Sequence, residues 1–160
     1  MIIGVVSDTH GHVEFAQQAA RMLESFDVAA VLHCGDIGSP EVVGVFRPWP
    51  THFVLGNVDY DVRPLREAIL AAGQTCHERF GSLMLAETPI ALLHGDDLPA
   101  LAEAVRSKRY RLVCHGHTHV ARREQRGETL ILNPGALYRA TPHSIAVVEL
   151  PAVKAEIITV

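Results

Sequence analysis

Three histidines occur at alternate positions in one short stretch of the chain. His115, His117 and His119 closely follow the apolar pair Leu112-Val113. Alternate residues of an extended backbone project to the same side, and a neutral imidazole is the commonest metal ligand among side chains. The stretch therefore predicts a metal site rather than part of a hydrophobic core.

Side chains of similar ligand type occur at four other places along the chain. Each place follows an apolar run and adjoins a glycine, and the residues are Asp8 and His10, Asp36, Asn57 and His94. With the histidine stretch they offer two carboxylates, one amide and four or five imidazoles. That is about twice what one ion with open coordination positions requires. The set therefore predicts two divalent ions, and oxygen and nitrogen ligands without sulfur favour manganese, iron, zinc, cobalt or nickel.

Two metal ions held in this way suit the hydrolysis of phosphate esters. Ions roughly 3.5 to 4 Å apart stabilise both sides of an in-line displacement and acidify a shared water. A carboxylate has to bridge them, and Asp8 and Asp36 are the carboxylates available at strand ends. Two divalent ions, two aspartates and a bridging hydroxide leave a formal charge of about +1, which a singly charged phosphodiester neutralises. We therefore expect a phosphodiesterase in which a metal-bridging hydroxide attacks phosphorus.

The elements that must position these residues alternate between strand and helix in the first half of the chain. Apolar runs at 2–6, 28–32 and 51–55 predict buried strands, and each leads into a polar group and then a helical pattern. This order predicts a parallel sheet with helices over it and the first strand near its centre. Functional residues of such sheets gather at the carboxyl ends of the strands, where both aspartates and Asn57 fall.

The second half of the chain is richer in strands. The expected strands are 74–80 paired with 82–87 through Gly81, 90–93, a hairpin that turns near Arg126-Gly127, and two closing strands at 144–150 and 153–160. Two sheets packed together and flanked by helices accommodate these elements. We expect a single metallophosphoesterase domain over residues 1–160, a length at which one domain can bury roughly 70% of the surface of the unfolded chain.

Composition and charge limit the kinds of substrate and partner that we expect for the protein. The net charge of −4 argues against a surface that attracts nucleic acid as a whole, so we expect a small phosphodiester substrate. Nucleic-acid contact stays an alternative for the basic run at 106–111, whose first interpretation is a solvated helix end. Three cysteines suit a reducing compartment, and the first apolar run is too short for a signal peptide or membrane span. We therefore expect a cytoplasmic protein without membrane contact, and no pattern indicates its oligomeric state.

The ordered motifs resemble those of the calcineurin-like metallophosphoesterases. The motifs are Asp8-x-His10, Gly35-Asp36, Gly56-Asn57, His94-Gly95 and Gly116-His117-Thr118-His119, and they span nearly the whole chain. The form Gly56-Asn57-x-Asp59 is most similar to the small bacterial and archaeal phosphodiesterases of that superfamily. The resemblance implies an α/β fold, a four-layer αββα sandwich of two mixed β-sheets flanked by helices.

The resemblance also implies which residues serve each ion. One metal would be held by Asp8, His10, Asp36 and His119, and the other by Asp36, Asn57, His94 and His117, with Asp36 as the bridge. Asp36, Asn57, His94 and His117 are also the residues implied to take part in catalysis.

Two departures from the family pattern concern positions next to these motifs. Many relatives carry a histidine directly after the Gly-Asn pair, where it is credited with protonating the leaving group or binding phosphate, and here that position is Val58. His12 and Asp59 are the alternative acids by proximity in sequence. An enzyme without such an acid favours esters with good leaving groups. The second departure is Asp96, at a position where some relatives carry histidine.

Other interpretations of the same residues remain open. A protein-interaction scaffold could keep the fold without turnover, as a retromer subunit of the superfamily does after losing motif residues, although every motif position is retained here. A phosphomonoesterase would differ only in the charge of its substrate. Asp8, Asp36 and Asn57 could cap helices, and any one of the histidines alone is more often structural. Their joint occurrence at matching strand ends favours the metal site.

Overall fold

The chain forms eleven strands and four helices, described for residues 1–160 by a computed structural model. Their order is β1 (Ile2–Val6), α1 (Val13–Ser25), β2 (Ala30–His33), α2 (Pro40–Val45), β3 (Thr51–Phe53), α3 (Val62–Ala71), β4 (Thr75–Cys76), β5 (Phe80–Leu85), β6 (Thr88–Leu93), α4 (Leu98–Arg106), β7 (Leu112–Cys114), β8 (Arg122–Arg126), β9 (Thr129–Asn133), β10 (Ser144–Glu149) and β11 (Lys154–Thr159). No helix among them combines the length and the apolar character needed to cross a lipid bilayer.

The strands form two mixed sheets. The six-stranded sheet has the order β11-β10-β1-β2-β3-β4, in which β1 to β4 run parallel and β10 is antiparallel to both of its neighbours, β1 and β11. The five-stranded sheet has the order β5-β6-β7-β9-β8, with a parallel centre and one antiparallel strand at each edge. The predicted parallel β-α alternation of the first half, the hairpin and the closing strands are thereby confirmed.

Three hydrophobic clusters fill the three interfaces between four layers. Along β1, Val6 packs in the cluster beneath helices α1 to α3, whereas its neighbour Val5 packs between the two sheets. Along β6, Leu92 packs between the sheets and Leu93 packs beneath α4. Successive strand residues face opposite sides, and both sides of these strands are covered, which explains the continuous apolar runs. The predicted αββα sandwich is confirmed.

One predicted strand pairing was wrong. Residues 74–80 and 82–87 do not pair through Gly81, because β4 joins the edge of the six-stranded sheet while β5 pairs with β6 in the other sheet. The chain turns before Phe80, whose backbone N–H donates to the carbonyl of His77. Gly81 lies inside β5, where the position of a Cβ would be only 3.0 Å from the His77 ring. It serves close packing rather than a turn.

The loops that carry the predicted ligands meet at one edge of the sandwich. In the six-stranded sheet the Asp8 N–H donates to the carbonyl of Gly35 at 3.1 Å, which ties the loops after β1 and β2 together. In the five-stranded sheet the Gly116 N–H donates to the carbonyl of His94 at 2.8 Å, which ties the loops after β6 and β7. The carboxyl ends of the parallel strands of both sheets therefore open on a common site.

Candidate metal centre

Asp8, His10 and His119 form the first group of converging ligand atoms. The Nε2 atom of His119 lies 3.2 Å from Oδ1 of Asp8 and 3.3 Å from Nε2 of His10. The Nε2 atom of His10 lies 3.8 Å from the same carboxylate oxygen. Two of these residues follow β1 and the third follows β7, so the group exists only because the two sheets are packed together.

Asn57, His94 and His117 form the second group. The amide Oδ1 of Asn57 lies 3.0 Å from Nε2 of His94 and 3.0 Å from Nδ1 of His117. The Nε2 atom of His94 also lies 3.3 Å from Oδ2 of Asp36. These residues follow β3, β6, β7 and β2, so both sheets contribute here as well.

Asp36 lies between the two groups. Its Oδ2 atom is 3.3 Å from Nε2 of His94 in the second group and 3.7 Å from Nε2 of His10 in the first. Its Oδ1 atom accepts a hydrogen bond from the backbone N–H of Val58 at 3.1 Å, which fixes the orientation of the carboxylate. Asp8 also has a carboxylate oxygen within 4.8 Å of ligand atoms of Asp36 and His94, so both aspartates lie near both groups. All seven predicted ligands are brought together.

The Asp8 carboxylate tests whether these residues fit a cation. Its Oδ2 atom accepts hydrogen bonds from the Ser7 hydroxyl and from the backbone N–H of His117. Its Oδ1 atom is buried and has no hydrogen-bond partner, although two imidazole nitrogens lie within 4 Å of it. A buried charged oxygen without a partner is costly. A divalent cation among these atoms would satisfy it, so the residues fit a metal ion.

Backbone carbonyls orient two of the imidazoles. The Nδ1 atom of His94 lies 2.8 Å from the carbonyl of Cys34, and that of His119 lies 3.3 Å from the carbonyl of Arg139. A carbonyl can only accept, so in each ring Nδ1 carries a proton and Nε2 is the nitrogen that could bind a cation. Both Nε2 atoms face the other ligands of their group. Hydrogen bonds of this kind hold metal-binding histidines in the correct tautomer.

Contacts within the site shift the pKa values of its charged residues. Burial would raise the pKa of Asp36, but its hydrogen bond and its attraction to His94 outweigh burial and lower that pKa. Burial would lower the pKa of His94, but the carboxylates of Asp36 and Asp8 outweigh burial and raise it. For His10, burial is the largest influence and lowers the pKa in spite of both carboxylates. Asp36 is therefore ionised at neutral pH, which is the state that binds a cation.

Five of the seven predicted ligands have a left-handed backbone. Their φ angles are 56° at Asp8, 47° at His10, 52° at Asp36, 68° at His117 and 59° at His119. Residues other than glycine rarely adopt this conformation, and it costs roughly 1–2 kcal/mol for each. Such strained positions cluster at functional sites, where the surrounding structure enforces them.

Two motif glycines allow the backbone to approach the aspartates. A Cβ at Gly56 would overlap with Oδ1 of Asp36, and a Cβ at Gly116 would overlap with the Ser7 hydroxyl and the Asp8 carboxylate. The glycines of the Gly-Asn and Gly-His motifs are therefore required by space.

His33 supports the loops around the site through hydrogen bonds, and the sequence pattern alone assigned it no role. Its Nδ1 atom accepts from the backbone N–H of Gly35 at 3.3 Å, so Nε2 carries the proton that it donates to the Thr9 hydroxyl at 3.0 Å. The Thr9 hydroxyl in turn donates to the carbonyl of Ile37 at 3.0 Å. Burial, aided by His94, lowers the pKa of His33 to about 3, so the ring is neutral. The only sequence signal was its position at the end of an apolar run, just before Gly35-Asp36.

The structure argues against Asp59 as the leaving-group acid. Its carboxylate accepts from the backbone N–H groups of Ile37 at 3.2 Å, Gly38 at 2.9 Å and Gly56 at 2.8 Å. Asp59 is also only 5% exposed. It therefore fixes the loops after β2 and β3 to each other and does not face a substrate.

The other residues singled out next to the motifs lie around the site. The ring of His12 stacks on that of Tyr138 with 3.8 Å between the ring centroids. His115 is buried outside both ligand groups, and its Nδ1 atom lies 3.2 Å from the carbonyl of Gly116. Asp96 pairs with Arg79, which accounts for its charge.

A site of carboxylate, amide and imidazole ligands at the strand ends of an αββα sandwich defines the class of metal-dependent phosphoesterases. Comparison with known proteins narrows the class to a family. Residues 1–152 match the model of the calcineurin-like phosphoesterase superfamily domain, and the chain belongs to this superfamily. The predicted family, fold and enzyme class are thereby confirmed.

Individual relatives agree with this assignment. The chain is 30% identical over 138 residues to the phosphodiesterase MJ0936 of Methanocaldococcus jannaschii, an alignment that covers 84% of this chain and 83% of that protein. It is 26% identical to an archaeal phosphodiesterase of known structure, with a TM-score of 0.92 and both chains fully covered. A zinc complex of Vps29 from Entamoeba histolytica has a TM-score of 0.68 at 20% identity, covering 99% of each chain, and is similar in fold alone.

Proposed function

We propose that the chain is a phosphodiesterase that works with two divalent cations held between its two sheets. The observation that carries this proposal is the position of Asp36, whose Oδ2 atom lies within 3.7 Å of imidazole nitrogens from both ligand groups. A carboxylate shared by two ligand groups is what a two-metal site requires. The names of the archaeal relatives, both phosphodiesterases, favour a diester as substrate.

The proposed ligand sets follow the two groups. Asp8, His10, Asp36 and His119 would hold one cation, and Asp36, Asn57, His94 and His117 would hold the other. When bound, two such cations lower the pKa of a coordinated water and offset the charge that develops on the phosphoryl oxygens. Manganese, iron, zinc, cobalt and nickel all suit these ligand types.

The exposure of the ligands gives the site a floor and a rim. Asp8 and His94 are at most 1% exposed and form the floor, whereas Asn57 and His117 are exposed to solvent. A phosphate ester would therefore approach from the side of Asn57 and His117. The floor excludes water from the buried carboxylates, where electrostatic interactions are stronger than in bulk water.

The surroundings of Val58 predict a preference among leaving groups. Val58 offers only its backbone N–H, which is already donated to Asp36, and the neighbouring Asp59 carboxylate is occupied by three backbone N–H groups. Neither of these two residues therefore supplies a proton donor in place of the histidine that many relatives carry here. We expect the enzyme to favour diesters whose leaving group is stable without protonation, such as a nitrophenolate.

Turnover of chromogenic esters tests the proposal. The protein would be freed of metal, reloaded separately with manganese, cobalt, nickel, zinc or ferrous iron, and assayed with bis(p-nitrophenyl) phosphate and p-nitrophenyl phosphate. We expect metal-dependent turnover that is faster for the diester, and a loss of at least about 100-fold in Asn57→Ala, which lacks one ligand oxygen.

Other outcomes would identify the alternatives. Faster turnover of the monoester would indicate a phosphomonoesterase. Full metal binding without turnover of any ester would favour a protein-interaction scaffold. Such a role would not explain why the ligand set is retained.

A further inference from the structure

Arg139 lies at the rim of the candidate metal centre, in the loop between β9 and β10. Its backbone carbonyl is the acceptor 3.3 Å from Nδ1 of His119. Its guanidinium carbon lies over the ring of Tyr138, 5.4 Å from the ring centroid. The centroid of the Tyr138 ring is 5.7 Å from that of His10. The backbone carbonyl of Arg139 therefore contacts His119, and its neighbour Tyr138 packs near His10. Both histidines are proposed ligands of the first group.

The guanidinium of Arg139 has no polar partner inside the protein. It makes no ion pair and no side-chain hydrogen bond, and the residue is exposed. Arg109 is also exposed and makes no ion pair, so Arg139 is distinguished by its position beside His119. A guanidinium offers five N–H donors in a planar fork that matches a phosphate group. This fork is available to a ligand.

Aromatic contacts hold the Arg139 side chain near the site. The Tyr138 ring stacks on His12 with a centroid separation of 3.8 Å and an interplanar angle of 22°, so its position is fixed from the side of α1. A cation over an aromatic ring is attracted to its face. Arg139 also has a left-handed backbone, with φ at 52°, a strained conformation of the kind that clusters at functional sites. The side chain therefore loses less freedom on binding than a free arginine would.

We propose that Arg139 is a substrate-binding residue whose guanidinium contacts a non-bridging oxygen of the phosphate group. This inference rests on the proposed function, and it adds a positive charge from the protein to those of the cations. Charge-assisted hydrogen bonds of this kind are roughly twice as strong as neutral ones. The contact favours phosphate esters over uncharged esters, because it forms only with an anionic group.

Substitution of the side chain separates this role from support of His119. Arg139→Ala keeps the backbone carbonyl, so the metal content is expected to stay at the level of the wild type. For the metal-loaded protein we expect KM for bis(p-nitrophenyl) phosphate to rise about 10- to 100-fold, with a smaller change in kcat. Arg139→Lys keeps the charge without the fork, so its KM is expected between those of Arg139→Ala and the wild type. Arg109→Ala, an exposed arginine in the basic run, serves as the matched control.

Calorimetry with inorganic phosphate gives a readout that does not depend on turnover. We expect phosphate to bind Arg139→Ala about 10- to 100-fold more weakly than the wild type, and Arg109→Ala with unchanged affinity. Tyr138→Phe keeps the ring that supports the guanidinium, so phosphate is expected to bind it more tightly than it binds Tyr138→Leu. Tyr138→Leu removes the ring and is expected to show an intermediate loss.

The outcomes distinguish this inference from the proposed function. Equal KM and equal phosphate affinity in Arg139→Ala and wild type would overturn the inference. A loss of metal in Arg139→Ala would also overturn it, because the side chain would then act through His119. If the wild type has no turnover, the proposed function fails, and the phosphate affinities still decide the role of Arg139.

Discussion

The two sheets contribute different chemistry to the same site. The six-stranded sheet supplies every oxygen ligand, because Asp8, Asp36 and Asn57 follow β1, β2 and β3, whereas the five-stranded sheet supplies only the imidazoles of His94, His117 and His119. His10 is the one imidazole from the six-stranded side. Neither sheet alone offers the complete ligand set proposed for either ion, so the site forms only when the sandwich has assembled.

The sheets also differ in how they are covered. Three helices cover the outer face of the six-stranded sheet over a cluster of 17 buried residues, while α4 covers the other sheet over a cluster of 5. The carboxylates are therefore carried by the better buried sheet. Burial of a charged group requires fixed partners, and Asp36 and Asp8 have them in Val58, Ser7 and the backbone N–H of His117.

The largest effect is expected where the two sheets meet, at Asp36. Asp36→Asn keeps an acceptor for the Val58 N–H but removes the charge shared by both ligand groups. We expect kcat for a phosphodiester to fall by at least about 1,000-fold, because two cations supply several kcal/mol of transition-state stabilisation. Steady-state kinetics and thermal melting would measure this.

The control for this variant is Asp97→Asn. Asp97 accepts from the backbone N–H of Ala100 at the start of α4, and asparagine caps a helix equally well. It should leave both kcat and the melting temperature unchanged. Undiminished turnover in Asp36→Asn would contradict the shared role of Asp36.

The second effect is a difference in the free energy of unfolding between variants of buried and of exposed histidines in the five-stranded sheet. His94 is 1% exposed, and its loss leaves the carbonyl of Cys34 without its partner. We expect His94→Ala to lower the free energy of unfolding of the metal-free protein by about 2–4 kcal/mol. His117→Ala, at an exposed position, is expected to lower it by less than about 1 kcal/mol. Urea unfolding would measure both, and equal losses would contradict the distinction between floor and rim.

A third effect concerns pH and the six-stranded sheet. The pKa of His33 is lowered to about 3 by burial, so the folded state keeps this ring neutral while the unfolded chain takes up a proton below its usual pKa near 6.5. His33 therefore contributes stability that is complete above about pH 6.5 and is lost as the pH falls toward 3, by up to about 1.4 kcal/mol per pH unit. Urea unfolding of the metal-free protein between pH 7 and pH 4 would measure this slope.

The matched variant for the pH experiment is His33→Gln, which keeps polar atoms but does not titrate. Other groups titrate in the same range, so the difference between the slopes of the two proteins isolates His33. We expect the slope to be smaller in His33→Gln. Identical slopes would contradict a neutral, buried His33.

The smallest effect is expected in the basic run at 106–111, which leads from α4 into β7 of the five-stranded sheet. Arg109 is exposed and follows α4, near the amino-terminal end of β7 and away from the metal centre at its carboxyl-terminal end. Arg109→Ala is expected to change the free energy of unfolding by less than about 0.5 kcal/mol and to leave turnover unchanged. Weaker binding of a labelled single-stranded oligonucleotide by this variant would instead support nucleic-acid contact at the run.

Much of the fold and the ligand set could be predicted because both depend on local patterns. Within the apolar runs at 2–6 and 28–32, residues 3–6 and 30–32 are buried, so each run predicts a strand, and the residue types that follow predict a metal site. The separation of β4 and β5 into different sheets could not be predicted. A glycine between two strand patterns indicates a turn, whereas Gly81 packs closely against His77. Sheet membership depends on partners distant in sequence.

The backbone conformations and hydrogen bonds that support the ligands could not be predicted from the sequence either. The left-handed backbone at Asp8 and His119 is enforced by tertiary contacts, and residue type alone does not predict it, although Asp and His adopt this conformation more often than most residues. His33 and Arg139 act through hydrogen bonds to residues that only the fold brings near. Local patterns therefore predict the ligands, whereas the assembled sandwich determines what holds them.

The number of divalent ions that each chain binds decides whether Asp36 is shared by two cations. Equilibrium dialysis of metal-free protein against Mn²⁺, followed by elemental analysis, would be carried out on the wild type and on Asp36→Asn. We predict about two ions per wild-type chain and weakened binding of both in the variant, because Asp36 lies within reach of both ligand groups. Saturation of the wild type at one ion or none, or two ions bound equally well without the Asp36 carboxylate, would contradict it.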